Sequence, residues 1–568
     1  MTFTEFPYHR PDLKQIESEH TLLLEKLKNA DSAESAALLI KEIYTLQNGF
    51  SSMAQICGIR HSINTTDTFY KSEQEYFDTH SPLFENLIHN YYTTLLNSNF
   101  KNELEKIFGK QLFRLATLSL KIFSPAIIED LVKENTLGTK YQQLMASASI
   151  LFEGKERNLS ELAPFMRSTD RTIRKNASEA RWGFLKDNAD TLDSIFDDMV
   201  KIRTVIATKL GYKNFVQLGY DRMLRTDYNA SMVEEYRKAV QQFVVPIATM
   251  LRREQEERLG IDTLMYYDEA LVFESGNAKP KGDAQWILKN GQQMYAELGE
   301  ATNTFMQFMV NHQLLDLVAK KGKAGGGYCT YIANHKAPFI FSNFNGTAAD
   351  IDVLTHEVGH AFQVFSCRDL EVNEYHWPTS DAAEIHSMSM EYFTYPWMDL
   401  FFEEQADKYR YAHLADAVLF LPYGVSVDEF QHVVYSNPEL SPVERKKAWS
   451  AIEKKYLPLR KYENNEFLET GGWWQTQAHI FQSPFYYIDY TLAQICAFQF
   501  WEKARTNHEN AFADYLQLCK AGGSKSFLEL VELANLKSPF EPGVMEEVMQ
   551  DVTQWLKTVN AEIYNVPA

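Results

Sequence analysis

Five residues constrain this chain more tightly than any others: His356-Glu357-Val358-Gly359-His360, set between Leu354 and Ala361-Phe362. Residues four apart on an α-helix share a face, so a helix here turns both imidazoles toward one point, where a single metal ion would bind both. Glu357 sits one position further round, where its carboxylate reaches a water on that ion without becoming a ligand, the geometry of a general base. Zinc suits such a site because it takes nitrogen and oxygen ligands tetrahedrally and lowers the pKa of a bound water to about 7. Gly359 costs a helix about 1 kcal/mol relative to Ala. Its presence, with Thr355 and Val358 uncharged, implies that another element packs closely on that turn. The pattern points to hydrolysis of an amide; a chance match on a solvated helix is the alternative, and the apolar flanks argue against it.

At 568 residues the chain has room for several domains or for one large helical body with two lobes. With 45% hydrophobic and 23% charged residues it has the composition of a globular protein. A net charge of −20 excludes a general nucleic-acid binder, which needs a basic surface. The apolar run Ala417–Leu421 is preceded by Asp416 and closed by Pro422, far short of the ~20 residues that cross a bilayer. Met1 to Pro11 shows no basic start followed by an apolar core, so the expected location is the cytoplasm. Cys57, Cys329, Cys367, Cys496 and Cys519 form no Cys-x-x-Cys pair and read as reduced thiols; a nucleophilic role for Cys329 or Cys367 is the weaker reading.

The first three hundred residues read as successive helices. Leu192, Ile195, Phe196, Met199, Ile202, Ile206 and Leu210 recur at helical spacing, and Gly211 supplies a stop. The stretch Glu19 to Leu46 continues the helical pattern, and Pro246 marks a helix start, end or kink. Loops are expected at residues 275–282 and 321–327; the second lacks the Gly-Lys-Ser/Thr of a phosphate loop. Tyr328–Ile332 and Phe339–Phe344 then read as two strands of a small sheet. If the second is an edge strand beside the metal helix, the backbone of Phe341, Ser342, Asn343 and Phe344 is free to pair with an extended peptide; an ordinary buried strand is the alternative. An N-terminal helical lobe over residues 1–200 and a catalytic region over 201–568 follow as the expected division.

Two histidines leave the ion one protein ligand short. A third histidine six positions after His360 would complete a metzincin site, but that position is Ser366, and the expected glycine is Gln363. The segment Ser380–Glu391 reads as a helix with a serine cap and offers Asp381, Glu384 and His386. Asp381, Glu384 and Glu391 share one face, so ligand and supporting carboxylates would come from one stripe, with His386 turned away. Glu384 is favoured; Asp381, His386 and His376 stay open.

Three blocks resemble the thimet oligopeptidase and oligoendopeptidase F group of zinc peptidases, and most closely its bacterial oligoendopeptidase F branch. They are Phe341–Phe344 leading to His356–Phe362, the helix Glu384–Glu391, and Gly471-Gly472-Trp473-Trp474 through His479 to Tyr490. The resemblance implies a mainly α fold, a two-lobed helical ellipsoid around a deep channel with a small sheet beside the metal helix. It implies one zinc ion per chain on His356, His360 and Glu384, with Glu357 as base. It also implies that His479 and tyrosines of the third block donate to the oxyanion. Tyr487 and Tyr490 match by spacing, but an earlier tyrosine and Gly-Gly pair of the family's loop correspond to Gln482-Ser483-Pro484 here, which keeps Tyr486 a candidate.

The expected activity is therefore that of an intracellular zinc endopeptidase cutting short peptides, with neither nucleic acid nor membrane as partner and the oligomeric state open. Two rivals remain: a metallocarboxypeptidase, which needs a cation for the substrate's terminal carboxylate, and a noncatalytic peptide-binding protein with structural zinc, which needs a fourth protein ligand. Manganese or cobalt would also suit two histidines and a carboxylate.

Overall fold

The computed structural model describes residues 1–320 and 322–563; Lys321, in the loop expected at 321–327, lies outside the described residues. Helices dominate. Asp12 caps α1 (Leu13–Lys28) by accepting from the N–H groups of Lys14 and Gln15, and Ser32 caps α2 (Ala33–Ile63). The helical stretch expected from Glu19 to Leu46 is thus broken between Lys28 and Ala33 by a new cap. α3 (Thr68–Leu96) completes the N-terminal layer. The apolar stripe of residues 192–210 lies on α4 (Ala189–Lys209), and Gly211 follows at φ +84°, the left-handed stop its sequence position implies. Pro246 stands in the first turn of the helix Val245–Arg258.

The expected division at residue 200 falls inside α4, so no linker lies there. One core cluster runs without interruption from Phe3 through Trp182 and Phe341 to Leu556, and a second takes in Tyr44 and Tyr91 of the N-terminal helices together with Tyr375.

A small hairpin joins β1 (Ile150–Phe152) and β2 (Lys155–Arg157). The larger sheet has three strands: β3 (Leu315–Val318), β4 (Tyr328–Ile332) and β5 (Ala337–Phe344). β4 and β5 lie where their aromatic and β-branched residues place them. β5 is the middle strand, parallel to β3 and antiparallel to β4. This corrects the edge-strand expectation for Phe341–Phe344: β3, too short to announce itself after the helix Glu300–Asn311, takes the pairing that a peptide would have used. The sheet's edges belong to β3 and β4.

The C-terminal half stacks α5 (Ala349–Cys367), α6 (Ser380–Phe393), α7 (Ala406–Ser436) and α8 (Tyr487–Thr506), and α9 (Val544–Ile563) packs on α7 and α8. The Asp350 carboxylate accepts from the N–H groups of Asn345 and Gly346 at 2.8 and 2.7 Å, fixing the turn that feeds α5. α6 packs against both α5 and α8. At the α5–α6 crossing a Cβ on Gly359 would lie 2.6 Å from the His386 carbonyl oxygen and from the Ser387 Cα, so only glycine fits, as its place in the motif suggested. Ser380 is the first residue of α6 rather than its cap; Thr379 holds the cap position, and Asp381 accepts from the Ala382 N–H. Pro422 does not close its apolar run but lies buried within α7. No described helix is long and apolar enough to cross a membrane.

Candidate active site

α5 delivers His356 and His360 to one side, and α6 crosses so that Glu384 meets them. The Glu384 Oε2 lies 3.4 Å from the His356 Nε2 and 3.5 Å from the His360 Nε2. These separations are the edges of a tetrahedron with bonds of about 2.1 Å, the spacing a zinc ion requires. Only these residues, among those described, bring three such ligand atoms within 4.8 Å of one another. Hydrogen bonds around them agree with that use. The His356 Nδ1 contacts the Glu391 Oε1 at 2.7 Å, so its proton is held there and its Nε2 lone pair faces the common point. The Ser387 hydroxyl donates to the Glu384 Oε2 at 2.8 Å, and the Tyr486 hydroxyl to its Oε1 at 2.6 Å. The residues present fit a zinc ion.

Of the alternatives left open for the third ligand, none joins this group. His376 contacts the Leu370 carbonyl through Nε2 at 2.8 Å, and His386 is fully buried with its Nδ1 on the Ala382 carbonyl. Asp381, expected to support the ligands, is bonded instead to Tyr228 at 2.8 Å and to Thr379 at 2.5 Å. Its place in the first turn of α6 points it at the helix start and at Tyr228. Glu391 does support a ligand, and through a partner the sequence did not reveal: its Oε2 lies 2.7 Å from the His413 Nε2, and the His413 Nδ1 lies 2.7 Å from the Tyr395 hydroxyl. His413 sits on α7 with no motif around it, so only the fold brings it here.

Glu357 is buried, and burial, the largest cause, raises its pKa above the usual carboxylate range, with His356 and His360 opposing and the Glu384 and Glu391 carboxylates adding to it. A Cβ on Gly327 would lie 3.7 Å from the Glu357 Oε1, so the glycine-rich loop runs beside the base. That loop is what Ser342 and Asn343 serve. The Asn343 side chain donates to the carbonyls of Ala324 and Gly326 at 2.9 and 2.8 Å, and Lys323 donates to the Ser342 carbonyl at 2.5 Å. Phe341 and Phe344 are buried. Trp377, also unmarked in the sequence, stacks on His360 at 5.8 Å between ring centroids and stays 37% exposed. Burial pushes the Cys329 thiol up and the Cys367 thiol up to about 12, opposite to what a nucleophile needs.

His479 lies in the short helix Ala478–Gln482 and faces the tyrosines at the start of α8, with ring centroids 5.5 Å from Tyr486, which precedes the helix, and 5.1 and 5.8 Å from Tyr487 and Tyr490 within it. The tyrosines divide the work. Tyr486 is committed to Glu384. The Tyr487 ring turns toward Phe420 and Tyr423. The Tyr490 ring packs 5.1 Å from that of Tyr486, and burial first, then the charges of Glu384 and Glu357, raise its pKa. Gln477 fixes the proton on His479. The Tyr423 hydroxyl donates to the Gln477 Oε1 at 2.9 Å. That leaves the Gln477 amide N–H to face the His479 Nδ1 at 2.8 Å. The imidazole is then neutral with its proton on Nε2, and burial, the larger cause, lowers its pKa.

The entire segment is positioned from afar. Phe485 adopts φ +66°, its N–H donates to the Gln431 Oε1 at 2.8 Å, and Arg225 donates to its carbonyl at 2.5 Å. A Cβ on Gly219 would meet the Phe485 ring at 2.4 Å. Arg203 of α4 donates to the Phe481 carbonyl at 2.5 Å.

Comparison with known proteins agrees with this arrangement. The model of the Peptidase M3 N-terminal domain matches residues 3–123, and that of Peptidase family M3 matches residues 164–550. This chain belongs to peptidase family M3. It is a peptidase whose fold is shared with a solved structure of Pz peptidase A with an inhibitor, 56% identical with a TM-score of 0.96, the match covering 98% of this chain and 99% of that one. An oligoendopeptidase F homolog of Lactococcus lactis subsp. lactis is 21% identical over 92% of this chain and 90% of its own length. One from Borreliella burgdorferi is 20% identical over 66% of this chain, which spans 63% of that relative, just under two thirds.

Proposed function

We propose that this M3 peptidase is a zinc-dependent oligoendopeptidase that hydrolyses internal bonds of short peptides. The observation that carries the proposal is the convergence of His356, His360 and Glu384 at tetrahedral spacing, with Glu357 on the same helix and the His479–Tyr490 cluster joined to Glu384 through Tyr486. When bound by those three residues, zinc supplies a Lewis acid that polarises the scissile carbonyl and acidifies a water. Glu357 takes the proton of the attacking water and returns it to the leaving amine. The His479 Nε2–H and the Tyr490 hydroxyl donate to the carbonyl oxygen as negative charge develops on it, worth roughly 3 to 4 kcal/mol per donor in such sites. Tyr486 holds Glu384 in place. The edge of β4, beside the glycine loop, is where an extended substrate backbone aligns.

The reading includes one zinc ion per chain, a channel between the N-terminal helices and the His479 segment that admits short peptides and excludes folded proteins, and a cytoplasmic setting. Five unpaired cysteines support that setting.

The test is Glu357→Gln. It should retain zinc, by metal analysis, and native circular dichroism while hydrolysis of a peptide blocked at both ends falls by several orders of magnitude. Undiminished turnover rejects Glu357 as the base; failure of the native protein to cut the doubly blocked peptide rejects the endopeptidase reading.

A further inference from the structure

Glu391 is a carboxylate in an unfavourable place. It stands in the last turn of α6, where the helix's terminal carbonyls repel negative charge, and only 14% of its side chain is exposed. A carboxylate so far out of water needs donors on its oxygens. His356 supplies one, from Nδ1 to Oε1, and His413 of α7 supplies the other, from Nε2 to Oε2, each at 2.7 Å. With both oxygens taken, Glu391 cannot turn off the His356 ring without giving up a second hydrogen bond in a dry place.

His413 is itself held at both ends and on its faces. A carboxylate only accepts, so the His413 Nε2 carries a proton. The Tyr395 hydroxyl has two acceptors in reach, the His413 Nδ1 at 2.7 Å and the Arg410 carbonyl at 3.4 Å, and the shorter contact takes its proton. The imidazole is therefore neutral, an acceptor at Nδ1 and a donor at Nε2. Three phenol rings close round it, Tyr392 and Tyr395 edge-on at 5.5 and 5.6 Å between centroids and Tyr409 stacked at 5.6 Å. Tyr409 is pinned in turn, its hydroxyl donating at 2.6 Å to the Oδ1 of Asp352, which lies on α5 one turn before His356. Filling space would need only a leucine or a phenylalanine at position 413, with none of these polar groups buried. What the arrangement adds is the direction of one N–H.

A carboxylate on the Nδ1–H of a ligand imidazole fixes its tautomer, aims its Nε2 lone pair and raises its basicity, and such outer partners are worth about 10- to 100-fold in metal affinity. We propose that His413 is a positioning residue for the metal: its Nε2–H holds Glu391 on His356 and thereby sets how tightly the chain binds zinc. The proposal rests on the zinc reading of His356, His360 and Glu384 and extends it to α7. That helix also carries Tyr423 and Gln431, which bond Gln477 and the Phe485 N–H, so one helix supports both the metal ligands and the His479 segment.

The experiment measures zinc dissociation constants of the whole chain, stripped of metal, by competition with a chromogenic chelator. His413→Phe keeps the bulk of the ring and removes the donor; it should raise the constant about 10- to 100-fold while far-ultraviolet circular dichroism stays native. His413→Gln places an amide N–H where Nε2–H stood and should keep most of the native affinity, whereas the shorter His413→Asn should not. Tyr395→Phe, which leaves Nδ1 without its partner, should give a smaller rise than His413→Phe. A Glu391→Leu background separates action through Glu391 from packing: there His413→Phe should cost no further affinity. Native affinity in His413→Phe overturns the proposal, as does a full loss in His413→Gln, which would make ring packing the cause, or an undiminished further loss in the Glu391→Leu background. Should His413→Phe fail to fold, equal affinities of His413→Gln and His413→Asn overturn it equally well. A native protein that takes up no zinc rejects the zinc reading itself, an outcome distinct from zinc uptake that His413 does not influence.

Discussion

His479 is useful to the proposed reaction only in one tautomer, and a single amide chooses it. With the Gln477 N–H against its Nδ1, the imidazole must carry its proton on Nε2, where it donates. Gln477→Glu reverses that choice. A carboxylate accepts from Nδ1–H, leaves Nε2 bare when the ring is neutral, and raises the ring's pKa. The expected result at pH 8 is a drop in kcat of about 10²-fold with KM little changed, the cost of losing one oxyanion donor. As pH falls through the raised pKa, the ring takes a second proton, Nε2 donates again, and the deficit relative to the native enzyme should shrink. A pH–rate profile displaced uniformly at all pH values would show that Gln477 only supports the loop. Nothing in the sequence marked this residue. Its role depends on Tyr423, on a different helix, and on a chain of donors that only the folded geometry orders.

Secondary-structure elements set the register of the tyrosines. α8 begins just after Phe485, and Phe485 is held in a left-handed conformation by Gln431 and Arg225 and by the open face of Gly219. Arg225 also donates to the Asp489 Oδ1 at 2.6 Å, and Tyr228 links Asp489 to Asp381. Burial pushes Asp489 up to about 8 against the pull of Arg225. Arg225→Met removes the donor on the Phe485 carbonyl and the cation paired with the buried Asp489, so it should lower stability by about 3–5 kcal/mol. The sign of the pH dependence follows. A carboxyl whose folded pKa exceeds its unfolded value of about 3.9 stabilises the fold at low pH and loses that contribution as pH rises toward the folded value. Without Arg225 the folded value rises further, so the gap between variant and native should widen above about pH 8 in thermal unfolding. Zinc content should stay native while kcat falls, since Tyr490 shifts and the ligands do not. A gap that narrows with pH would contradict this. At this scale the sequence was legible where one element carries its own message: the α5 motif, the Glu384 face of α6, the strands β4 and β5. It was silent where two elements meet, as with Glu391 and His413, and it misled where a weak neighbour decides the outcome, as with β3 converting the expected edge strand into a central one.

Across the whole molecule, the mainly helical class was readable because helical periodicity is local, and one core passes through α4 from the N-terminal helices to the C-terminal half. The N-terminal helices are tied directly to the catalytic half. The hydroxyls of Tyr44 and Tyr92 both donate to Glu374, at 2.8 and 2.9 Å, and Thr65 and Ser62 hold the backbone of Gly322 and Ala324 in the glycine loop beside Glu357. This wide support bears on what the metal does for the fold. In small zinc domains the ligands are disordered until the ion binds, so binding is folding. Here Glu391 orients His356, Ser387 and Tyr486 orient Glu384, and α5 and α6 are locked at Gly359, all without an ion. Chelation should therefore abolish peptide hydrolysis and leave far-ultraviolet circular dichroism unchanged. The thermal midpoint should fall by only a few degrees, since an ion present at a thousand times its dissociation constant adds about 4 kcal/mol to a fold of this size. Activity should return on adding zinc without a refolding lag. Loss of helical signal on chelation, or recovery that needs a denaturation and refolding cycle, would mean that the ligands are not preorganised and that the ion builds the site.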